Sequence, residues 1–493
     1  MGSLQRNVYW ILSLIFVFTA FLFFVDLFTA DLFPCTSLNK DGNYNTSHQA
    51  EENNSHSTAK ENDSYRNDVK SECAERGLVA YGQTVFMCGL LIGSLVGGIL
   101  SDRYGKRVLL IGSCTVQAVT GLMSAFVPHV IFHLIARLIV GITCCGINIS
   151  SFSLGVEWSV PKYRMWPPAL LTFASAIGMM LFAGIASLAS DWLQFSLAIS
   201  VPQIVCLPIY FYIPESPRWL MTNKRFSKLD EYRKRSKEDS ESLDLILNTI
   251  GCEPQNSIKL RYEDQTNSVL QYFKSGTIIL RLCIMSCISL ASALTYCGIS
   301  YNVGSFGVNM YLGQFFSGLA ECPLILMPFL LSRFGRRPLS IVSLLLSGTA
   351  CLLSLLISEF CAIPALVMTL ALIGKLCVQV SFCVSLLYSI ELFPTVMRQK
   401  CVGFVFLWYR IGSILNALMS PGSGLSLATM ICYCSGPIIG GLFCLFLPET
   451  SNMPLPDTLE DCQKQPVLPF FYKRVSTNLN NEKKSHPELS EQQ

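Results

Sequence analysis

The chain has 493 residues, 51% of them hydrophobic and 14% charged, whereas an ordinary soluble domain carries roughly 25% charged residues. A chain this long and this apolar cannot cover a water-facing surface with polar groups, so its outer surface is predicted to face lipid. A net charge of +3 is too small to point to nucleic acid, and no phosphate-cradling glycine loop, paired-cysteine zinc spacing or hydrolase nucleophile elbow appears, so no catalytic residue, metal site or cofactor is expected.

Runs long enough to cross a bilayer, about 20 residues at 1.5 Å rise, fall near 8–30, 78–100, 108–127, 130–154, 167–188 and 193–213. The first is too long for a signal-peptide core and has no convincing cleavage site, so it is read as a retained helix. The polar loop after it, 31–77, holds three N-glycosylation sequons, at Asn45, Asn53 and Asn62. Cys35 and Cys73 bracket this loop and are the one pair expected to form a disulfide. Most other cysteines, such as Cys88, Cys144, Cys145, Cys283, Cys351 and Cys432, lie inside apolar runs, where a thiol behaves as a small hydrophobe. A polar, basic segment, 214–275, separates the first six runs from six more near 276–300, 307–331, 339–358, 363–388, 402–420 and 426–447. A polar tail, 448–493, ends the chain. Unpaired backbone groups are intolerable in hydrocarbon, so each run is read as a helix, giving a six-helix half over 1–213 and another over 276–447.

Two signals agree on orientation. Glycosylation would place 31–77 outside, and an even number of crossings then puts both termini in the cytoplasm. The connections on the same side carry Arg103, Lys106, Arg107, Lys162, Arg164, Arg333, Arg336, Arg337, Arg398 and Lys400, whereas the short outer connections near 128, 190, 303, 360 and 422 carry no lysine or arginine. That is the positive-inside bias, and it fits a multi-pass protein of the plasma membrane.

The inner connections also repeat. Asp102-Arg-Tyr-Gly-Lys-Arg107 resembles Ser332-Arg-Phe-Gly-Arg-Arg337, Glu157-Trp-Ser-Val-Pro-Lys-Tyr-Arg164 resembles Glu391-Leu-Phe-Pro-Thr-Val-Met-Arg398, and Pro214-Glu-Ser-Pro resembles Pro448-Glu-Thr-Ser. Landmarks in one order at a spacing of about 230 residues indicate a duplicated six-helix unit. Duplicated bundles commonly build transporters whose halves rock about a site at mid-membrane. Asp102, Glu157, Glu215, Glu391 and Glu449 stand at helix ends near Arg103, Arg107, Arg164, Arg218, Arg333, Arg337 and Arg398. These charges fit either ion pairs that gate the cytoplasmic side or plain interfacial anchors.

Gly98-x-x-x-Asp102-Arg-x-Gly-Lys-Arg107 resembles the signature loop of the major facilitator superfamily. Pro214-Glu-Ser-Pro-Arg-Trp-Leu220, Tyr296-Cys-Gly-Ile-Ser-Tyr-Asn, Gly374-Lys375, Glu391-Leu-Phe-Pro-Thr-Val-Met-Arg-Gln399 and Leu447-Pro-Glu-Thr narrow the resemblance to the organic-ion transporter family. The resemblance covers about residues 78–460 and implies an all-helical fold of 12 membrane helices in two pseudo-symmetric halves. Gln399 stands where members of the organic anion branch have glutamine, and Arg410 where the family's anion and zwitterion carriers have arginine and its cation carriers an aspartate. In four respects the chain departs from the family: its first outer loop is short and holds two cysteines, its first helix lacks the family's Asn-containing segment and carries Asp26, Pro323 is followed by Leu-Ile-Leu where anion exchangers often have a lysine, and helix five, 167–188, offers only Phe173 and Phe182 as aromatics.

A charge inside a bilayer is costly and usually lines a functional cavity. Arg410 cannot shed its proton, and its planar fork matches a carboxylate, so it is expected to be the main anion contact. Lys375 either recruits anions or pairs structurally, Glu321 is expected to partner a nearby basic group, and Arg137 is expected beside Asp26 or inner acids. Tyr296, Tyr301, Phe382 and Tyr388 either wall a site for flat substrates or pack as core. The expected function is a secondary-active or facilitative carrier of small organic anions, with a small organic ion and the lipid bilayer as its partners. A cation or carnitine-like zwitterion carrier and a non-transporting relative stand as alternatives.

Overall fold

The structure, a computed structural model, describes residues 3–32, 78–127, 129–159, 163, 165–223, 225–234, 240, 243–245, 275–360, 363–393, 398–419 and 427–450. Asn45, Asn53, Asn62, Cys35, Cys73, Arg164 and the side chain of Arg398 lie outside the described residues.

Among the described residues, twelve helices are long and apolar enough to span a membrane. They are α1 (Leu4–Thr29), α2 (Gly82–Tyr104), α3 (Lys106–Phe126), α4 (Val130–Glu157), α5 (Trp166–Leu188), α6 (Trp192–Tyr210), α7 (Gly276–Tyr301), α8 (Met310–Phe334), α9 (Arg336–Phe360), α10 (Pro364–Leu392), α11 (Lys400–Met419) and α12 (Leu427–Cys444). Each overlaps an expected run. At the basic face α2, α4 and α10 run on beyond the expected runs, to Tyr104, Glu157 and Leu392, and so take in Asp102, Arg103, Glu157 and Glu391. Helical geometry continues there because long polar side chains reach water while their stems cover apolar surface. The bundle exterior is apolar, with Trp10, Ile99, Leu188 and Phe360 exposed, as a lipid-facing surface requires.

Small residues set the closest helix contacts. A Cβ on Gly89 would lie 2.4 Å from the Leu138 carbonyl oxygen, and one on Gly141 would lie 2.3 Å from that of Phe86, so α2 and α4 touch backbone to backbone. Such close approach compensates for the weak hydrophobic drive between helices in lipid. The duplication is visible at the same level. Gly178 of α5 abuts the Val17 carbonyl and Ala20 of α1, and Gly412 of α11 abuts the Leu290 carbonyl and Ala293 of α7.

Two helices are interrupted. A turn at Val25 breaks the helical course of α1 just before Asp26. Within α8 the α-helix stops at Glu321, a 3-10 stretch covers Cys322–Leu326, and α-helix resumes at Met327. Pro323 and Pro328 supply the cause, since neither can donate a backbone hydrogen bond.

The two faces of the bundle pack differently. On the face toward the first loop, one cluster joins both halves, with Phe21, Phe28 and Phe86 packed beside Cys297, Tyr301 and Ala417. Contacts that sew this seam include Tyr301 Oη donating to the Phe23 carbonyl at 3.0 Å, Thr84 Oγ1 donating to that of Ala417 at 3.2 Å, Tyr301 packed on Phe24 at 5.7 Å and Phe28 stacked on Tyr311 at 5.0 Å. Toward the opposite, basic face the core divides into one cluster around Leu12, Leu110 and Tyr210 and another around Met285, Leu344 and Tyr388, each within one half. At this face α5 and α8 still touch, through Trp166 against Phe329 at 5.2 Å.

Candidate functional site

At the basic face one network is built twice. Glu215 accepts hydrogen bonds from the backbone N–H groups of Lys106 and Arg107, both at 3.1 Å. Glu449 accepts from those of Arg336 and Arg337, also both at 3.1 Å. Each carboxylate therefore sits at the positive end of a helix dipole, where unpaired N–H groups favour an anion. Lys106 pairs with Glu157, which also accepts from Ser216 Oγ. Arg336 pairs with Glu391 at 2.9 Å, and Glu391 accepts from Thr450 Oγ1 at 2.6 Å. Arg107 and Arg337 each donate to a carbonyl closing the half, Phe211 and Leu445 respectively, at 2.6 Å. Gly105 and Gly335, at φ 97° and 86°, make the turns that bring these groups together, a conformation glycine adopts without a Cβ clash.

The pairs Lys106–Glu157 and Arg336–Glu391 each lie within one half. Arg103 and Arg333 are exposed over the rings of Tyr104 and Phe334, and Asp102 and Arg218 are also exposed. Trp219 Nε1 donates to the Asp102 carbonyl at 3.1 Å. The physical reason is proximity: the loop that ends each half folds back on its own second and fourth helices.

Beyond these networks, the described membrane helices bury or half-bury six charged side chains: Asp26, Arg137, Arg281, Glu321, Lys375 and Arg410, of which Arg281 lies toward the basic face within electrostatic reach of Tyr388. Four form two pairs, one per half. In the first half Arg137 of α4 pairs with Asp26 of α1, donates to the Leu22 carbonyl at 2.8 Å and lies 4.4 Å above the Phe86 ring. In the second half Lys375 of α10 pairs with Glu321 of α8 at 2.9 Å, donates to Ser317 Oγ at 2.5 Å and lies 5.1 Å from the Tyr296 ring centre. Tyr296 Oη donates to the same carboxylate oxygen of Glu321 at 2.9 Å. Of the two roles expected for Lys375, its geometry is that of a paired cation.

Arg410 differs. It is half-buried on α11, beside Tyr409 and against Cys145 of α4 in the other half, and no carboxylate among the described residues pairs with it. Phe382 of α10 lies 4.2 Å from the Tyr409 ring. Cys297 of α7 lies within electrostatic reach of both Arg410 and Lys375, and Tyr409 of both Arg410 and Glu321. Arg410, the Lys375–Glu321 pair, Tyr296 and Phe382 thus share one region, facing the first half. No equivalent stands across the duplication: two residues before Gly412 is Arg410, and two before Gly178 is Ala176.

Two expected aromatics lie elsewhere. Tyr301 belongs to the seam between halves. Tyr388 is buried in the basic-face core of the second half, donating to the Pro448 carbonyl, and walls no site near Arg410. It stands six residues beyond Phe382 on α10, and at 3.6 residues per turn that places it on a different face of the helix. Tyr409 and Cys145 were not expected at the site. Tyr409 is adjacent to Arg410 in sequence, a usable signal; a contact between halves, as at Cys145, leaves none.

Residues 74–417 match the Major Facilitator Superfamily. The chain is 30% identical over 405 residues to human solute carrier family 22 member 13, covering 82% of this chain and 72% of that one. It is 34% identical over 403 residues to organic anion transporter 3 of Oryctolagus cuniculus, covering 79% and 72%. Among solved structures, the inward-open xylose transporter XylE of E. coli superposes with a TM-score of 0.64 at 18% identity, covering 94% of this chain and 98% of that one.

Proposed function

This chain belongs to the Major Facilitator Superfamily and, within it, to solute carrier family 22, and on that premise we propose that it carries small organic anions across the plasma membrane by alternating access. It acts as a secondary-active or facilitative carrier. The observation that carries this reading is Arg410, a permanent cation between the halves with no carboxylate partner among the described residues. At an intermediate effective dielectric, an anion about 4 Å from the guanidinium gains on the order of 4 kcal/mol, and a cation there loses as much. Tyr296, Phe382 and Tyr409 supply flat apolar surface beside that charge, which suits an aromatic or branched carboxylate.

The halves, 1–213 and 276–447, rock about this site, and the basic face is cytoplasmic, with both termini, the 214–275 connection and the 448–493 tail. Each repeated network at that face staples one half into a rigid body, so neither breaks as the halves move. The moving contacts are those of the seam at Tyr301, Thr84 and Phe28, which part when the site opens to the outside, where the sequon-bearing loop 31–77 lies. Asn45, Asn53 and Asn62 carry the glycans, and Cys35 bonds Cys73.

Uptake by cells expressing the chain, normalised to its surface level, tests the reading with labelled benzoate, tetraethylammonium and carnitine. Saturable benzoate uptake with the other two at background is expected. Tetraethylammonium or carnitine uptake without benzoate would overturn it in favour of a cation or zwitterion carrier, and no uptake of any would mark a non-transporting relative.

A further inference from the structure

We infer that the site accepts singly charged organic anions and turns away doubly charged ones, and that Glu321 sets this limit by holding Lys375 neutralised; the inference rests on the anion-carrier reading above. The argument is a count of charge in one region. Arg410 contributes one unpaired positive charge, while Lys375, wholly buried at 0% exposure, is matched by Glu321 at 2%. The pair is held from several sides. Ser317 takes the Lys375 ammonium at 2.5 Å, and the Tyr296 ring lies against that ammonium while its hydroxyl is bound to Glu321. Asp26 and Arg137 cancel one another in the other half.

A monocarboxylate entering this region therefore meets one free cation and is neutralised by it. A dicarboxylate brings a second negative charge for which no unpaired cation stands in this region among the described residues, and desolvating that charge without a partner is costly. Taking Lys375 for the second carboxylate gains nothing, because Glu321 would then be the buried charge without a partner. Glu321 is a specificity-determining residue that acts through Lys375, without touching the substrate. Its position at the end of the first segment of α8, directly before the 3-10 stretch Cys322–Leu326, fixes the carboxylate where the helix changes course.

The test compares uptake of labelled benzoate and phthalate at neutral pH, two substrates of one ring differing by one ionised carboxyl group, with surface level measured for every variant. The wild-type chain is expected to prefer benzoate by about tenfold or more, equivalent to ~1.4 kcal/mol. Glu321→Gln keeps the shape and the hydrogen bonds but frees the Lys375 charge, and should raise the phthalate-to-benzoate ratio by about tenfold. Lys375→Gln leaves Glu321 anionic beside Arg410 and should depress uptake of both. The double variant Glu321→Gln/Lys375→Gln restores the wild-type charge count, and should recover benzoate uptake with wild-type selectivity even if either single variant folds poorly. Equal wild-type uptake of the two substrates, both lost in Arg410→Ala, would overturn the inference and leave the carrier reading standing. An unchanged ratio in a surface-expressed Glu321→Gln would overturn the role of Glu321. No saturable uptake of either substrate would overturn the carrier reading itself.

Discussion

The two halves share a plan at the basic face and part company in the interior. Glu157, Ser216 and Glu215 of the first half do for α3 and α4 what Glu391, Thr450 and Glu449 of the second do for α9 and α10. In the interior, the first half balances Arg137 with Asp26, whereas the second carries the Lys375–Glu321 pair and, beside it, Arg410. Ala176 fills the place in α5 that Arg410 holds in α11. What duplicates is the network at the basic face; what does not is the cation proposed to meet a substrate. The first half presents a neutral wall, through Cys145, to a charged second half.

That contrast is broken most forcefully on its balanced side. Arg137→Ala leaves Asp26 buried without its partner and should cost about 3–5 kcal/mol of stability, seen as a lower thermal midpoint in detergent and loss of chain from the cell surface. Tyr296→Phe keeps the ring against Lys375 but removes a hydrogen bond to a charged group, worth about 1.5–3 kcal/mol. A smaller fall in thermal midpoint than for Arg137→Ala is expected. Tyr301→Phe removes one neutral hydrogen bond from the seam, about 0.5–1.5 kcal/mol. It should shift the balance between outward- and inward-facing states by roughly two- to tenfold, measured as a change in KM with the midpoint unmoved. Arg233→Ala sits at the other extreme, since its pairs with Asp230 and Asp244 are both about half exposed. Water and salt screen such pairs to roughly 0–1 kcal/mol, and neither uptake nor midpoint should move.

Much of the scaffold was legible in the sequence because it follows from local rules. Hydropathy alone marks twelve runs, and the repeated loops mark the duplication before any coordinate is known. Helix ends were less legible: α2, α4 and α10 continue into charged turns that an apolar criterion cuts off. The break in α8 follows from Pro323 and Pro328, but its value lies in where it leaves Glu321. Pairing between distant helices was the least legible. A buried carboxylate at 321 announces that it needs a partner, yet nothing along the chain says that this is Lys375 of α10 rather than Arg410 of α11. The same limit explains Tyr388, whose residue type suits a substrate wall and whose place on α10 puts it in a core. It also applies to the loop charges, whose spacing fits either a cytoplasmic gate or interfacial anchors and does not say which acid meets which base, as Lys106 meets Glu157 and Arg336 meets Glu391.

The central claim is that Arg410 is held free of carboxylates for an anionic substrate, and the most direct test is benzoate uptake by Arg410→Ala and Arg410→Lys at matched surface level. Arg410→Ala should fall to background while keeping a thermal midpoint near wild type, because no buried carboxylate loses a partner, and Arg410→Lys should recover little, because an ammonium lacks the planar fork. Undiminished uptake in Arg410→Ala would contradict the account.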